Sequence, residues 1–133
     1  MSVGAWEPEN QQEGDAPESI DRAQLERFIH ALQQGDQLRE SLSLADQGAS
    51  ALMRLPATQW LQESESWQDD QLWELIRFFT LAEAQLPGWD GGPESPVIPL
   101  AKTLRRRKAP LSREQLLWIR EHSDNRYLPY GPL

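Results

Sequence analysis

Asp69-Asp70-Gln71-Leu72-Trp73-Glu74-Leu75-Ile76-Arg77-Phe78-Phe79-Thr80-Leu81-Ala82-Glu83-Ala84-Gln85-Leu86 is the stretch that decides the fold of this 133-residue chain. Leu72, Leu75, Ile76, Phe79, Ala82 and Leu86 fall at helical spacing and form one face. Trp73, Phe78 and Leu81 carry apolar surface around much of the remaining circumference. A helix apolar on most sides belongs at the centre of a bundle. Ser66 with Asp69 is the predicted start and Leu86 the predicted end.

Upstream, Asp21 predicts a helix cap, with Gln24 closing a capping box and Ile20 and Leu25 placed as a hydrophobic staple. Leu25, Phe28, Ile29 and Leu32 supply the buried stripe, and Gly35 predicts a left-handed stop. Asp36 then caps a second helix striped by Leu38, Leu42, Ala45, Ala49, Leu52 and Met53, with Gly48 marking a close crossing. Pro56 breaks it, and a short turn follows over residues 57–61. Downstream, residues 87–96 read as a loop dense in turn formers. Ser95-Pro96 opens a helix ended by a basic run, and Ser112 with Gln115 caps the last one. No alternating β-branched run predicts a strand.

The expectation is an all-α small helical bundle of about five helices over residues 19–124. It carries a disordered acidic N-terminal arm over residues 1–18 and an extended C-terminal tail over residues 125–133.

Charge divides along the chain. Residues 1–96 hold 18 acids and 5 bases, and residues 97–133 hold 3 acids and 8 bases, giving the net charge of −8. This polarity opposes bulk binding to nucleic acid or anionic membrane and suggests one docking end. The chain has no cysteine, which excludes disulfides, thiolate metal sites and a cysteine nucleophile, and fits a reducing compartment. The first residues show neither a basic start nor an apolar run, so a cytoplasmic protein without a signal peptide or membrane span is expected.

No catalytic or cofactor motif is complete. His122, Ser123 and Asp124 are consecutive and cannot converge as a triad, so they read as a helix end. His30 reads as a partly buried neutral histidine. Glu63, Glu65, Asp69, Asp70 and Glu74 lack cation-loop spacing and read as a solvated face. The expectation is a non-enzyme with no cofactor and no metal.

Six tryptophans are many for this length. Trp73 and Trp118 belong to helices, and Trp60 and Trp67 flank the central one. Trp89 sits among loop residues, either as a lid over the bundle or as a partner anchor. Arg105-Arg106-Arg107-Lys108 either pairs with the acidic half, contacts phosphate, or docks an acidic protein. The tail from Ser123 to Leu133 is too apolar to be idle: it covers the bundle, or Arg126, Tyr127 and Tyr130 enter a partner groove.

The expected function is therefore a non-catalytic adaptor or regulatory subunit. It docks a protein through Trp89, Arg105, Arg106, Arg107, Lys108, Arg126, Tyr127 and Tyr130. The alternative is a nucleic-acid- or ribosome-associated protein using the Arg105–Lys108 corner. Neither composition nor spacing fixes the oligomeric state.

Overall fold

In the computed structural model, which describes residues 19–131, Asp21 caps the first described helix, α1 (Arg22–Gln34). Its carboxylate accepts the Ala23 N–H at 3.0 Å. The acidic arm expected over residues 1–18, with Trp6, lies outside the described residues. Leu25, Phe28 and Leu32 are buried as the stripe requires, whereas His30 is exposed. Gln24 does not close a capping box, because its amide reaches across to Asp46 at 3.1 Å. Gly35 does stop the helix, but with φ 151° and ψ 165° rather than a left-handed turn. That region of positive φ is open to glycine and strained for other residues.

The second long helix does not form. Its stripe is divided among α2 (Leu38–Ser41), α3 (Leu44–Gln47) and a 3₁₀ turn over Ser50–Arg54. Asp36 does not cap it; the Leu38 N–H is instead satisfied by Gln85 Oε1 at 2.8 Å. The break lies at Leu42, which is extended at φ −104° and ψ 139°. Ser43 caps α3 by accepting the Asp46 N–H, and the Gln47 amide donates to the freed Leu42 carbonyl at 2.8 Å.

The tertiary reason for the break is Asp46, which is buried and held by two bonds from Arg27, at 2.9 and 3.0 Å. The Arg27 guanidinium keeps the Asp46 carboxyl below the usual carboxylate range against desolvation. Gly48 makes no close crossing; a Cβ there would meet nothing nearer than the Ala45 carbonyl oxygen at 3.5 Å.

α4 (Ala57–Ser64) is longer than the turn expected there. α5 (Asp69–Gln85) is the central helix, and α6 (Val97–Arg106), α1 and α7 (Arg113–His122) pack on it. Its start differs from the expectation. Gln68, not Ser66, is the cap, paired with Gln71 in a capping box, while Ser66 accepts from Arg22. Five helices thus reach eight residues or more, with α4 taking the place of the broken second helix. The Ser112–Gln115 capping box forms as predicted.

The core centres on Phe28, Phe78, Phe79 and Trp89. Phe28 and Phe78 stack at 4.1 Å between centroids, and Phe79 meets both edge-on. Trp60 is fully buried against Phe79 at 5.2 Å. Offset and edge-to-face ring pairs are worth about 0.5–1.5 kcal/mol each beyond area burial.

Candidate functional site

The basic run divides residue by residue. Arg106 pairs with Glu65 on the surface. Arg107 turns inward, and its guanidinium donates to the carbonyls of Trp67 (2.8 Å) and Ser64 (3.0 Å) and to Asp69 (2.8 Å). Lys108 takes positive φ, 63°, and ends α6 with the Ala109 N–H bonded back to the Leu104 carbonyl. Arg105 stays exposed and lies 4.2 Å over the Tyr130 ring. Cations suit this helix end because they meet the negative pole of its dipole.

Arg107 is therefore structural glue between α6 and the α4–α5 corner. Replacing it with alanine strips bonds from two partly buried carbonyls and from the exposed Asp69 carboxylate, the buried ones worth roughly 0.5–3 kcal/mol each. The expected loss is about 2 kcal/mol of stability in urea unfolding. Arg105→Ala, which removes only an exposed ring contact, should cost under about 1 kcal/mol by the same measurement.

Trp89 is not a surface anchor. It is 0% exposed, tucked against Phe28, Phe78 and Phe79, and its indole Nε1–H donates to the Gln47 carbonyl at 2.8 Å. The loop folds inward because that carbonyl, at the end of α3, offers the acceptor a buried indole needs.

The tail, expected extended, closes into a turn over residues 126–130. Asn125 organises it. Its side-chain oxygen accepts the Tyr127 N–H at 3.0 Å, and its amide nitrogen donates to Glu83 and to the Gly92 carbonyl, both at 3.0 Å. Leu128 is buried, and Tyr127 and Tyr130 pack against the core edge. Arg126 remains exposed, with its guanidinium 5.1 Å over the Tyr127 ring.

Sequence reasoning missed Glu83. One carboxylate oxygen accepts from Gly91 N–H (3.2 Å) and Asn125; the other accepts from the Ser95 hydroxyl at 2.5 Å. Ser95 in turn accepts the Val97 N–H and opens α6. Gly91 must be glycine here, since a Cβ would lie 2.8 Å from Ser95 Cα. Burial pushes the Glu83 carboxyl above its ordinary value, and its hydrogen bonds partly offset that. With three donors from three segments engaged, this carboxylate is a structural tie.

Two pockets flank the turn. One of about 400 Å³ includes Glu83, Asp90, Asp124, Arg126 and Tyr127 in its lining. The other, of about 450 Å³, is a groove with Leu116, Ile119, Leu128, Pro129 and Tyr130 in its wall and Arg120 and Arg126 beside them. At about 100° per residue on α7, Arg120 and Arg113 follow Leu116 around the helix, and Leu117 comes next. Leu117 is half-exposed at 50%. Arg113 and Arg120 form no ion pair with a described acid.

His122 sits at the end of α7, stacked on Trp118 at 4.2 Å, far from any triad arrangement. Of the acids named above, Glu63 bonds Trp67, Glu65 meets Arg106, Asp69 meets Arg107, and Glu74 meets Arg77. No group of three or more metal-ligating residues occurs among the described residues. No described helix is long and apolar enough to cross a membrane. In comparisons with known proteins, no family model, curated protein or solved structure matches the chain.

Proposed function

We propose that this protein is a non-catalytic adaptor or accessory subunit that docks an acidic protein partner through its C-terminal groove. The observation that carries this reading is the groove beside the 126–130 turn. Its wall combines apolar Leu116, Ile119, Leu128, Pro129 and Tyr130 with polar Ser123 and Asn125, and its charged residues are Arg120 and Arg126 against the single acid Asp124. An apolar floor supplies burial, and exposed cations supply steering and register. Arg105 over Tyr130 extends the cationic edge onto α6, and Leu117 beside Arg113 and Arg120 extends the apolar area. Within the sequence-derived set, Arg126 and Tyr130 line this groove and Arg105 borders it over the Tyr130 ring, whereas Tyr127 lines the neighbouring pocket with Glu83 and Asp90. Trp89 and Arg107 leave it because both are engaged inside the fold.

The nucleic-acid reading is weakened by the same pairing. Arg106 and Arg107 are neutralised by Glu65 and Asp69, so the corner presents two of its four charges to a phosphate.

The test is capture from nuclease-treated source lysate by native protein and by an Arg120→Glu, Arg126→Glu variant. Both positions are exposed, so the variant should unfold within about 0.5 kcal/mol of native. Its affinity for the captured protein should fall about tenfold or more, since like-charge contacts cost over ~1.4 kcal/mol. Equal capture by both forms would remove the groove from the account. Capture that disappears with nuclease would favour nucleic acid.

A further inference from the structure

A second hollow, a cleft of about 260 Å³, lies between the start of α4 and α6. Its floor is Leu55, Ile98 and Pro99, all buried. Its exposed rim carries Pro56, Pro93, Arg54, Glu94 and Lys102. Three of these residues are proline, whose side chain has almost no rotamer freedom to lose on binding. Such a hollow is shaped before any occupant arrives.

The cleft adjoins the C-terminal groove. A Cβ at Gly131 would lie 3.3 Å from Ile98 Cγ2, so the end of the turn rests on a floor residue of the cleft. Tyr130, its neighbour in the chain, lines the groove. The two hollows therefore share one ridge, made by Tyr130 and Gly131. Lys102 and Arg105 stand along it, three residues apart on one face of α6, with Arg105 over the Tyr130 ring. The two hollows and the ridge present five exposed cations, Arg54, Lys102, Arg105, Arg120 and Arg126, against two acids, Glu94 and Asp124. None of the five forms an ion pair with a described acid. Arg54 donates to the Ser50 carbonyl, a bond that leaves its charge uncompensated. On a chain of net charge −8 this is a local reversal of sign. From Ile98 to Arg105 α6 rises about 10 Å, which an extended chain covers in about three residues.

We infer that the acidic partner is read as one extended segment straddling this ridge. It places an apolar side chain in each hollow and about three residues between them, whose acids meet Lys102 and Arg105. This rests on the groove reading above and adds the form of the segment that is recognised. Charge complementarity selects the occupant. An uncharged apolar segment would desolvate the cations without pairing them. Nucleic acid would meet the cations and leave both apolar hollows unfilled. Two linked anchors also hold more tightly than either alone, because the second binds at high effective concentration.

The test titrates a blocked peptide, two leucines separated by three glutamates, into the isotope-labelled full chain and reads backbone amide shifts. The expected result is movement at Ala57 and Lys102 beside the cleft and at Arg120 and Leu128 beside the groove, along a single binding curve. An Arg54→Glu, Lys102→Glu variant should bind the peptide about tenfold or more weakly, with both sets of amides affected together. Both positions are exposed, and the variant's own spectrum reports its fold. Replacing either leucine of the peptide by glycine should weaken binding about tenfold as well. Shifts confined to the groove and untouched by the charge reversal overturn the inference and leave the groove reading standing. Shifts confined to the cleft overturn the inference and count against the groove. No shift at either site at millimolar peptide also overturns it, while the groove reading keeps its own test with the captured partner. Residues 132 and 133 follow Gly131 and lie outside the described residues. If a chain ending at Gly131 shows moved cleft amides before any peptide is added, and binds peptide in the cleft only then, the chain's own end is the occupant and the inference fails.

Discussion

Trp89→Ala should lower the free energy of unfolding by about 3–5 kcal/mol, the range for truncating a large buried aromatic side chain. The residue is fully buried, contacts three phenylalanine rings, and donates its indole N–H to the Gln47 carbonyl. Truncation leaves a cavity between α1 and α5 and an acceptor without its donor. Against a total stability of roughly 5–15 kcal/mol for a domain of this kind, that loss is large. Trp89→Phe keeps most of the ring packing and should cost less, with the lost hydrogen bond as the main term. Urea unfolding followed by circular dichroism checks both. A change below about 1 kcal/mol for the alanine variant would mean that the indole is not packed as described.

Glu83→Ala should cost about 2–3 kcal/mol, and its local effect should exceed its global one. Three donors from three segments converge on this carboxylate: Gly91 N–H, the Ser95 hydroxyl and the Asn125 amide. Glu83→Gln, an uncharged isostere, should cost less than Glu83→Ala, because it keeps one acceptor oxygen for Gly91 and Asn125 and loses only the acceptor of the Ser95 hydroxyl. Amide hydrogen exchange should speed up at Tyr127, Leu128 and Gly131, whose turn hangs from Asn125.

The pH dependence has a definite sign. Burial raises the folded-state pKa of Glu83 above its unfolded value. Its contribution is therefore full below the ordinary glutamate pKa and declines as pH rises through the folded value. The cost of Glu83→Ala should be greater in mild acid than at pH 8. A cost that grows with pH would contradict the assigned direction.

The elements legible in the sequence were those set by local chemistry. Asp21 and Ser112 cap because a side-chain oxygen meets a nearby N–H, and the α5 stripe is buried because its period is helical. The basic end of α6 and the Ser95 start follow the same logic. What stayed hidden depended on distant partners. The stripe from Leu38 to Met53 has helical spacing, yet Arg27 captures Asp46 across 19 residues and Ser43 restarts the helix. Glu83 reads as one more surface acid until Asn125 returns to it from 42 residues away. Trp89 lies among turn formers, and only the Gln47 carbonyl and the phenylalanine cluster draw it inside. The candidate surface was half legible: Arg105, Arg126 and Tyr130 belong to it, while Arg120 and the wall of Leu116, Ile119 and Leu128 required the fold.

The most direct measurement is hydrogen exchange on this protein with and without the partner captured through the groove, at saturating partner. The account predicts added protection concentrated in α7 and residues 125–131, with the end of α6 next. Protection centred instead on α1–α3, around the 84%-exposed Leu44, with the C-terminal turn unchanged, would contradict it.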